Sequence, residues 1–220
     1  MKKIDSSLST KRVLISLFLF ACIPLGARIL NHFLDQYDIS LMVSMNIFGS
    51  SLIFYDWNLF GLHYNRAKYN LDDTLLYCVI AYVILLIWTI FAIDNLHCRI
   101  IVPSSDKLTK YGYARIGMLI AYSFMESTSV SIAVKCATDR LKISHNELQI
   151  ILFTGLSAGL ALTLLFIPSL NPLTMLTTLL YNVIVMIFLS YFYNQTGSFI
   201  PGAMGFALVN LTIMILPFIS

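Results

Sequence analysis

Charge is what this sequence has least of. Only 11% of its 220 residues are Asp, Glu, Lys or Arg, against 58% hydrophobic, whereas a soluble domain carries about 25% charged residues. Water is therefore excluded as the main solvent. One apolar stretch follows another from Val13 to the C-terminus, each close to the roughly 20 residues that cross a hydrocarbon core, which leaves no length for a separate soluble domain. Paired cysteine is missing too: Cys22, Cys78, Cys98 and Cys136 make no CxxC and have no histidine cluster beside them. That pattern argues against a zinc site and a disulfide framework and leaves four ordinary apolar side chains. The net charge of +3 is dispersed among loops, so neither nucleic-acid binding nor a polybasic lipid patch is indicated. After the basic start MKKIDSSLSTKR no small-residue cleavage pattern appears, and the first apolar run is expected to stay in place as a signal anchor.

What is present predicts an all-α, polytopic membrane bundle of about seven transmembrane helices, over 13–33, 39–60, 75–93, 116–134, 148–167, 173–192 and 203–218. The loop over 94–113, with Pro103 and mixed charges, separates an N-terminal half of three spans (1–110) from a C-terminal half of four (111–220). Pro24 and Gly26 predict a kink in the first span. Gly49, Ser50 and Ser51 in the second, Gly155 and Gly159 in the fifth, and Gly202 and Gly205 near the seventh permit close helix crossings. Tyr55, Trp57, Tyr64 and Tyr69 read as an interfacial belt, with Arg66 and Lys68 among headgroups. Counted by alternate loops, Lys2, Lys3, Lys11, Arg12, Arg66, Lys68, Lys135, Arg140 and Lys142 fall on one side, and Arg99, Lys107, Lys110 and Arg115 on the other. The richer side is expected to be cytosolic, and with it the N-terminus.

The residue with most to say is Glu126, near the middle of the fourth span in SFMESTSVS. A carboxylate there costs about 2.5–3.5 kcal/mol on insertion scales, so its helix must turn one side to protein or water. Either it is protonated or hydrogen-bonded for structure, or it serves a site. His32, His63, His97 and His145 lie near span ends or in loops and read as interfacial; His145 with Glu147 is too little for a metal. No cofactor or metal is expected. Asn210, in the last span, is a packing amide or a site residue.

From Glu126 onward, LQIILFTGLSAGLALTLLF and LLYNVIVMIFLSYFYNQTGSFIPGAMGFALVN resemble the CPBP family, the CAAX-protease and bacteriocin-processing group of intramembrane glutamate proteases. The resemblance covers about the last 110 residues and is strongest at TGSFIPGAM. The family pattern is a glutamate pair with an arginine four residues after the second, a phenylalanine with histidine four residues on, and a histidine with asparagine four residues on. Here the pair is Met125 and Glu126, and Val130 takes the arginine position. Phe153 is kept with Ser157 for histidine, and Asn210 is kept with Phe206 for histidine. In the family the glutamate activates water with help from histidine, while the second histidine and the asparagine stabilise the oxyanion. Neither serine nor phenylalanine moves a proton near neutral pH as imidazole does.

The resemblance thus implies a catalytically degenerate protein in a bacterial cell membrane, with Glu126 and Asn210 as vestigial catalytic residues. It would act by binding in bacteriocin immunity, peptide export or regulation of a membrane partner. Lipid, a membrane protein or a hydrophobic peptide are the implied partners. The alternatives are an active endopeptidase using Glu126 and a small transporter or channel subunit.

Overall fold

Ser9 opens the first helix by accepting the Arg12 backbone N–H at 3.3 Å, which satisfies one of the donors a helix start leaves free. The computed structural model describes residues 9–98, 114–140, 147–166 and 171–215. Helix α1 (Thr10–Leu34) runs on through Pro24 and ends at Asp35 in the left-handed conformation. Helix α2 (Tyr37–Ser44) passes through a π-helical turn (Met45–Gly49) into α3 (Ser50–Tyr55). Then come α4 (Trp57–Tyr69), α5 (Leu71–Asp94), α6 (Ala114–Arg140), α7 (Glu147–Phe166), α8 (Pro172–Thr196) and α9 (Ile200–Ile215). Asp72 and Asp73 sit in the first turn of α5, where the helix dipole favours negative charge. On α8, Asn171 Oδ1 accepts the Thr174 N–H at 2.7 Å and Pro172 stands at the first position, a start that needs no further donor there.

Helix α1, the segment Tyr37–Tyr55, α5 and α8 are each long and apolar enough to cross a membrane; the apolar stretches in α7 and α9 are shorter. With α6, whose 27 residues span about 40 Å, they make an all-α polytopic membrane bundle. Helix α6 lies at its centre, packed by α1, the π-turn, α3, α7 and α9, and Ser127, Thr128, Ser129, Val130, Ser131, Ile132 and Ala133 are all buried in succession. A helix enclosed all round over these two turns cannot show one apolar stripe there.

Glycine sets the closest crossings. A Cβ on Gly159 would lie 2.6 Å from Val183 Cα, and one on Gly205 would lie 2.6 Å from Ala81 Cβ and 2.9 Å from Tyr82 N. The α7–α8 and α5–α9 pairs therefore approach backbone to backbone, as the small residues in the sequence suggest. Gly49 does the same for the π-turn against α6, where a Cβ would meet Ser129 Oγ at 2.8 Å.

Three features differ from the reading of the sequence. The second span stops at Tyr55, because Asp56 leaves helical geometry (φ −98°, ψ 26°) and is held by α1; the following residues form a separate helix of 13 residues, α4, too short to cross. Arg66 on α4 does not reach only for headgroups: its Nη1 donates to the Gly197 carbonyl at 2.9 Å. His63, read as interfacial, is fully buried by protein at the α8–α9 turn, with its ring 4.5 Å from that of Phe199 and 5.7 Å from that of Tyr193. The belt residues Tyr55, Trp57, Tyr64 and Tyr69 are exposed. Lys2, Lys3, most of the 94–113 loop, Lys142 and His145, with the side chains of Arg115, Lys135, Cys136, Arg140 and Glu147, lie outside the described residues.

Candidate functional site

The polar centre of the bundle is a pair supplied by α6 and α9. Asn210 Nδ2 donates to Glu126 Oε2 at 2.6 Å across 84 residues of sequence. Glu126 has no ion-pair partner among the described residues. Glu126 is half-buried and Asn210 buried. Just over one turn before Asn210, Gly205 packs α9 closely against α5.

The turns on either side of the pair differ in chemistry. One turn before Glu126 on α6 is Tyr122, fully buried. Its hydroxyl interacts with the Glu126 carboxyl but closes no hydrogen bond of ordinary geometry with any described residue. Ser123, also fully buried, has an unbonded Oγ among the described residues. On the other side Val130 follows Glu126 by one turn and Phe206 precedes Asn210 by one turn, both buried in the apolar core. Positions one turn apart share a helix face, so Val130 and Phe206 lie on one flank of the pair and Tyr122 and Ser123 on the other, although the buried hydroxyls of Ser127, Thr128, Ser129 and Ser131 also follow Glu126 on the Val130 side. Ser129, a further buried hydroxyl without a hydrogen bond among the described residues, is turned to Gly49 of the π-turn.

Of the residues singled out by sequence, Glu126 and Asn210 are joined. Ser157 is not part of that bond; its Oγ donates to the Thr154 carbonyl of its own helix at 3.2 Å. Phe153 is exposed on α7. The TGSFIP phrase forms the α8–α9 turn: Gly197 takes a positive φ of 65°, Ile200 N donates to Ser198 Oγ at 3.2 Å, and Ser198 Oγ donates to the His63 carbonyl at 2.9 Å. Its distinctive letters thus build a helix-to-helix turn docked on α4. Among the described residues no three His, Cys, Asp or Glu side chains gather in a way that would hold a metal.

Sequence reasoning missed a second polar centre. Asp56, fully buried, accepts from Arg12 Nε at 2.7 Å and from Ser16 Oγ at 2.5 Å, while Arg12 Nη2 donates to the Tyr55 carbonyl at 3.2 Å. The signal available was a lone aspartate among aromatics at a span end, which has to find a cation or a hydroxyl if it is buried. The chain was compared with protein-family models, with curated proteins and with solved structures, and nothing matches in any of the three.

Proposed function

We propose that the chain is a CPBP-like membrane protein that has lost hydrolysis and acts by binding a hydrophobic peptide or a membrane protein. The observation that supports this reading is the Asn210 Nδ2 to Glu126 Oε2 bond of 2.6 Å, flanked by Val130 and Phe206 in the apolar core. A hydrolase needs a group to carry protons between water and the scissile amide, typically worth a factor of about 10² to 10⁴. Here an amide occupies one oxygen of the carboxylate, and the positions one turn away that the family gives to arginine and histidine hold valine and phenylalanine. Bacteriocin immunity is the role the resemblance suggests first, with peptide export or regulation of a membrane partner beside it. The test is incubation of the reconstituted chain with membrane-inserted peptides. Binding without turnover is expected; cleavage that Glu126→Gln abolishes at unchanged folding would overturn the reading and establish the endopeptidase instead.

A second reading, a small transporter or channel subunit, is favoured by one observation: the buried hydroxyls that accompany Glu126 along α6. Orientation belongs to the same proposal. The basic-loop count favours a cytosolic N-terminus, and reporter fusions at Lys142 and Ser220 should then report opposite sides of the membrane. Both on one side would reject seven spans with this orientation.

A further inference from the structure

The end of the bundle that holds the Arg12–Asp56 pair also carries α4, a helix too short to cross. Several spans begin or end at this level. The start of α1 is tied to the end of α3 through Arg12 and Asp56. On α8 the early Tyr181 meets Thr89 late on α5, and the late Phe192 meets Tyr77 early on α5. The two helices are therefore antiparallel, and α5 starts where α8 ends and α9 begins. Helix α4 touches each of these places in turn. Asp56, just before it, is held by α1; Ser198 Oγ donates to the His63 carbonyl and Arg66 Nη1 to the Gly197 carbonyl, both at 2.9 Å; Thr74 Oγ1 of α5 donates to the Ala67 carbonyl at 3.0 Å. It thus runs from the start of α1 over the α8–α9 turn to the start of α5, across the end of the spans and not along them.

At about 3.6 residues per turn, α4 has three distinct sides. Leu59, His63 and Ala67 are buried on the first. Opposite them stand Asn58, Asn65 and Lys68, all exposed, and Gly61, where an added Cβ would meet nothing within 4 Å. The flank between these two sides carries Trp57, Phe60 and Tyr64, and Phe54 at the end of α3 continues it. The four rings form a ladder, with successive centroids 6.1, 5.6 and 6.4 Å apart and planes 15–26° from parallel. Phe60 also leans on Phe199, while Phe54, Trp57 and Tyr64 are 71%, 54% and 52% exposed. A contiguous exposed apolar surface marks an interaction site, and this one faces sideways at the level where the spans leave the membrane.

We propose that α4 is an in-plane membrane anchor whose aromatic ladder is embedded in the interfacial layer of the bilayer. Asn58, Asn65 and Lys68 then turn to water, and Leu59, His63 and Ala67 to the protein. Only at the membrane surface do a protein side, a polar side and an apolar flank each find their own medium, and tryptophan and tyrosine favour that layer because their rings are apolar with a polar tip. The ladder is not the belt read from the sequence: Phe54 and Phe60 belong to it, whereas Tyr69 stands on the other flank of α4 and Tyr55 lies 5.9 Å from the Arg12 guanidinium. Charge does not select the lipid. Arg66 and Lys68 in the last turn of α4 are offset by Asp72 and Asp73 in the first turn of α5, so a zwitterionic phospholipid suffices. The embedding of α4 is independent of whether a peptide binds at the bundle centre.

The chain has two tryptophans, Trp57 and Trp88, which makes the depth of the ladder measurable. Trp88→Phe leaves Trp57 as the sole indole of the full chain in phosphatidylcholine vesicles. Because Trp88 Nε1 donates to the Tyr181 carbonyl at 3.4 Å, the emission difference between the native chain and Trp57→Phe is read as well and does not depend on that variant folding. Trp57 should be quenched more by lipid brominated just below the headgroup than by lipid brominated near the chain end, and acrylamide should quench it about threefold or more weakly than free tryptophan, as for an interfacial indole. Both results should stay the same when the chain is diluted in lipid and when anionic lipid is added. Ready acrylamide quenching without quenching by brominated lipid would put the flank in water. Stronger quenching from the chain end would put it in the hydrocarbon core, and shielding from both quenchers would give it to a second copy, if lost on dilution, or to the protein itself. Each of these would overturn the anchor, and a depth that changes with anionic lipid would overturn its indifference to charge.

Discussion

Asp56 and Glu126 are both carboxylates enclosed by helices, and the molecule treats them differently. Asp56 is saturated: a guanidinium and a hydroxyl meet its two oxygens at 2.7 and 2.5 Å, and the same guanidinium binds the neighbouring carbonyl of Tyr55. Around it the α8–α9 turn is fastened to α4 through Arg66 and Ser198. Glu126 has one amide among the described residues, buried hydroxyls of α6 both before and after it, and Val130 and Phe206 one turn away. Fully satisfied polar networks rigidify a core, whereas partly satisfied ones are where a fold keeps chemistry in reserve. The contrast separates a structural lock at one end of the bundle from a candidate site nearer its centre.

The comparison breaks most visibly at the lock. Arg12→Ala leaves Asp56 as a buried charge without its cation, which costs about 3–5 kcal/mol, and thermal unfolding in detergent should show a large drop in midpoint. Replacing both residues together by apolar ones of similar volume should recover much of that loss, since the ion pair itself contributes little net stability. A double variant no better than Arg12→Ala would show that the pair is needed for more than mutual compensation.

Next in size is the α7–α8 crossing, which neither centre uses. Gly159→Ala drives a methyl into the Val183 backbone at 2.6 Å and should cost about 1–3 kcal/mol by overpacking, read in the same melting experiment. Asn210→Leu takes the amide from Glu126, and the lost interhelical bond is worth about 0.6–2 kcal/mol in a membrane. Glu126→Gln keeps an acceptor for that amide and should cost less than Asn210→Leu; a Glu126→Gln penalty as large as that of Arg12→Ala would make the two centres alike and remove the contrast. The smallest effect is expected at Gly61 on α4, where an added Cβ meets nothing within 4 Å: Gly61→Ala should stabilise by about 0.4–1 kcal/mol through the unfolded chain.

Much of this arrangement was legible beforehand because the membrane reduces the problem to apolar length. The seven expected spans correspond to α1, the 37–55 segment and α5 to α9 within a few residues at most ends; α6 runs on to Arg140, beyond the expected 134, because a helix does not need to end where apolarity does. Glycine spacing gave the α7–α8 crossing correctly. Glu126 stood out by its cost in a span, and Asn210 entered through the resemblance at TGSFIPGAM, but that they meet was not readable from either alone. Arg12 could be counted only as a topological charge, for nothing in its neighbourhood points to an aspartate 44 residues later. The π-turn and the burial of His63 were equally invisible, being consequences of which helix faces α6 and of the α4 docking.

The sequence by itself determined the solvent, the all-helical class, the positions of the crossing segments and the one carboxylate that has to be accommodated among them, because each of these follows from local composition and from the cost of unsatisfied backbone in hydrocarbon. Only the tertiary structure decided which polar residues become partners. Pairing depends on how helices are rotated and how closely they approach, and these are fixed by Gly159 against Val183, Gly205 against α5 and Gly49 against Ser129. The bond of Asn210 to Glu126, the pairing of Arg12 with Asp56 and the burial of Tyr122 and Ser123 beside Glu126 are not contained in a linear reading of apolar length.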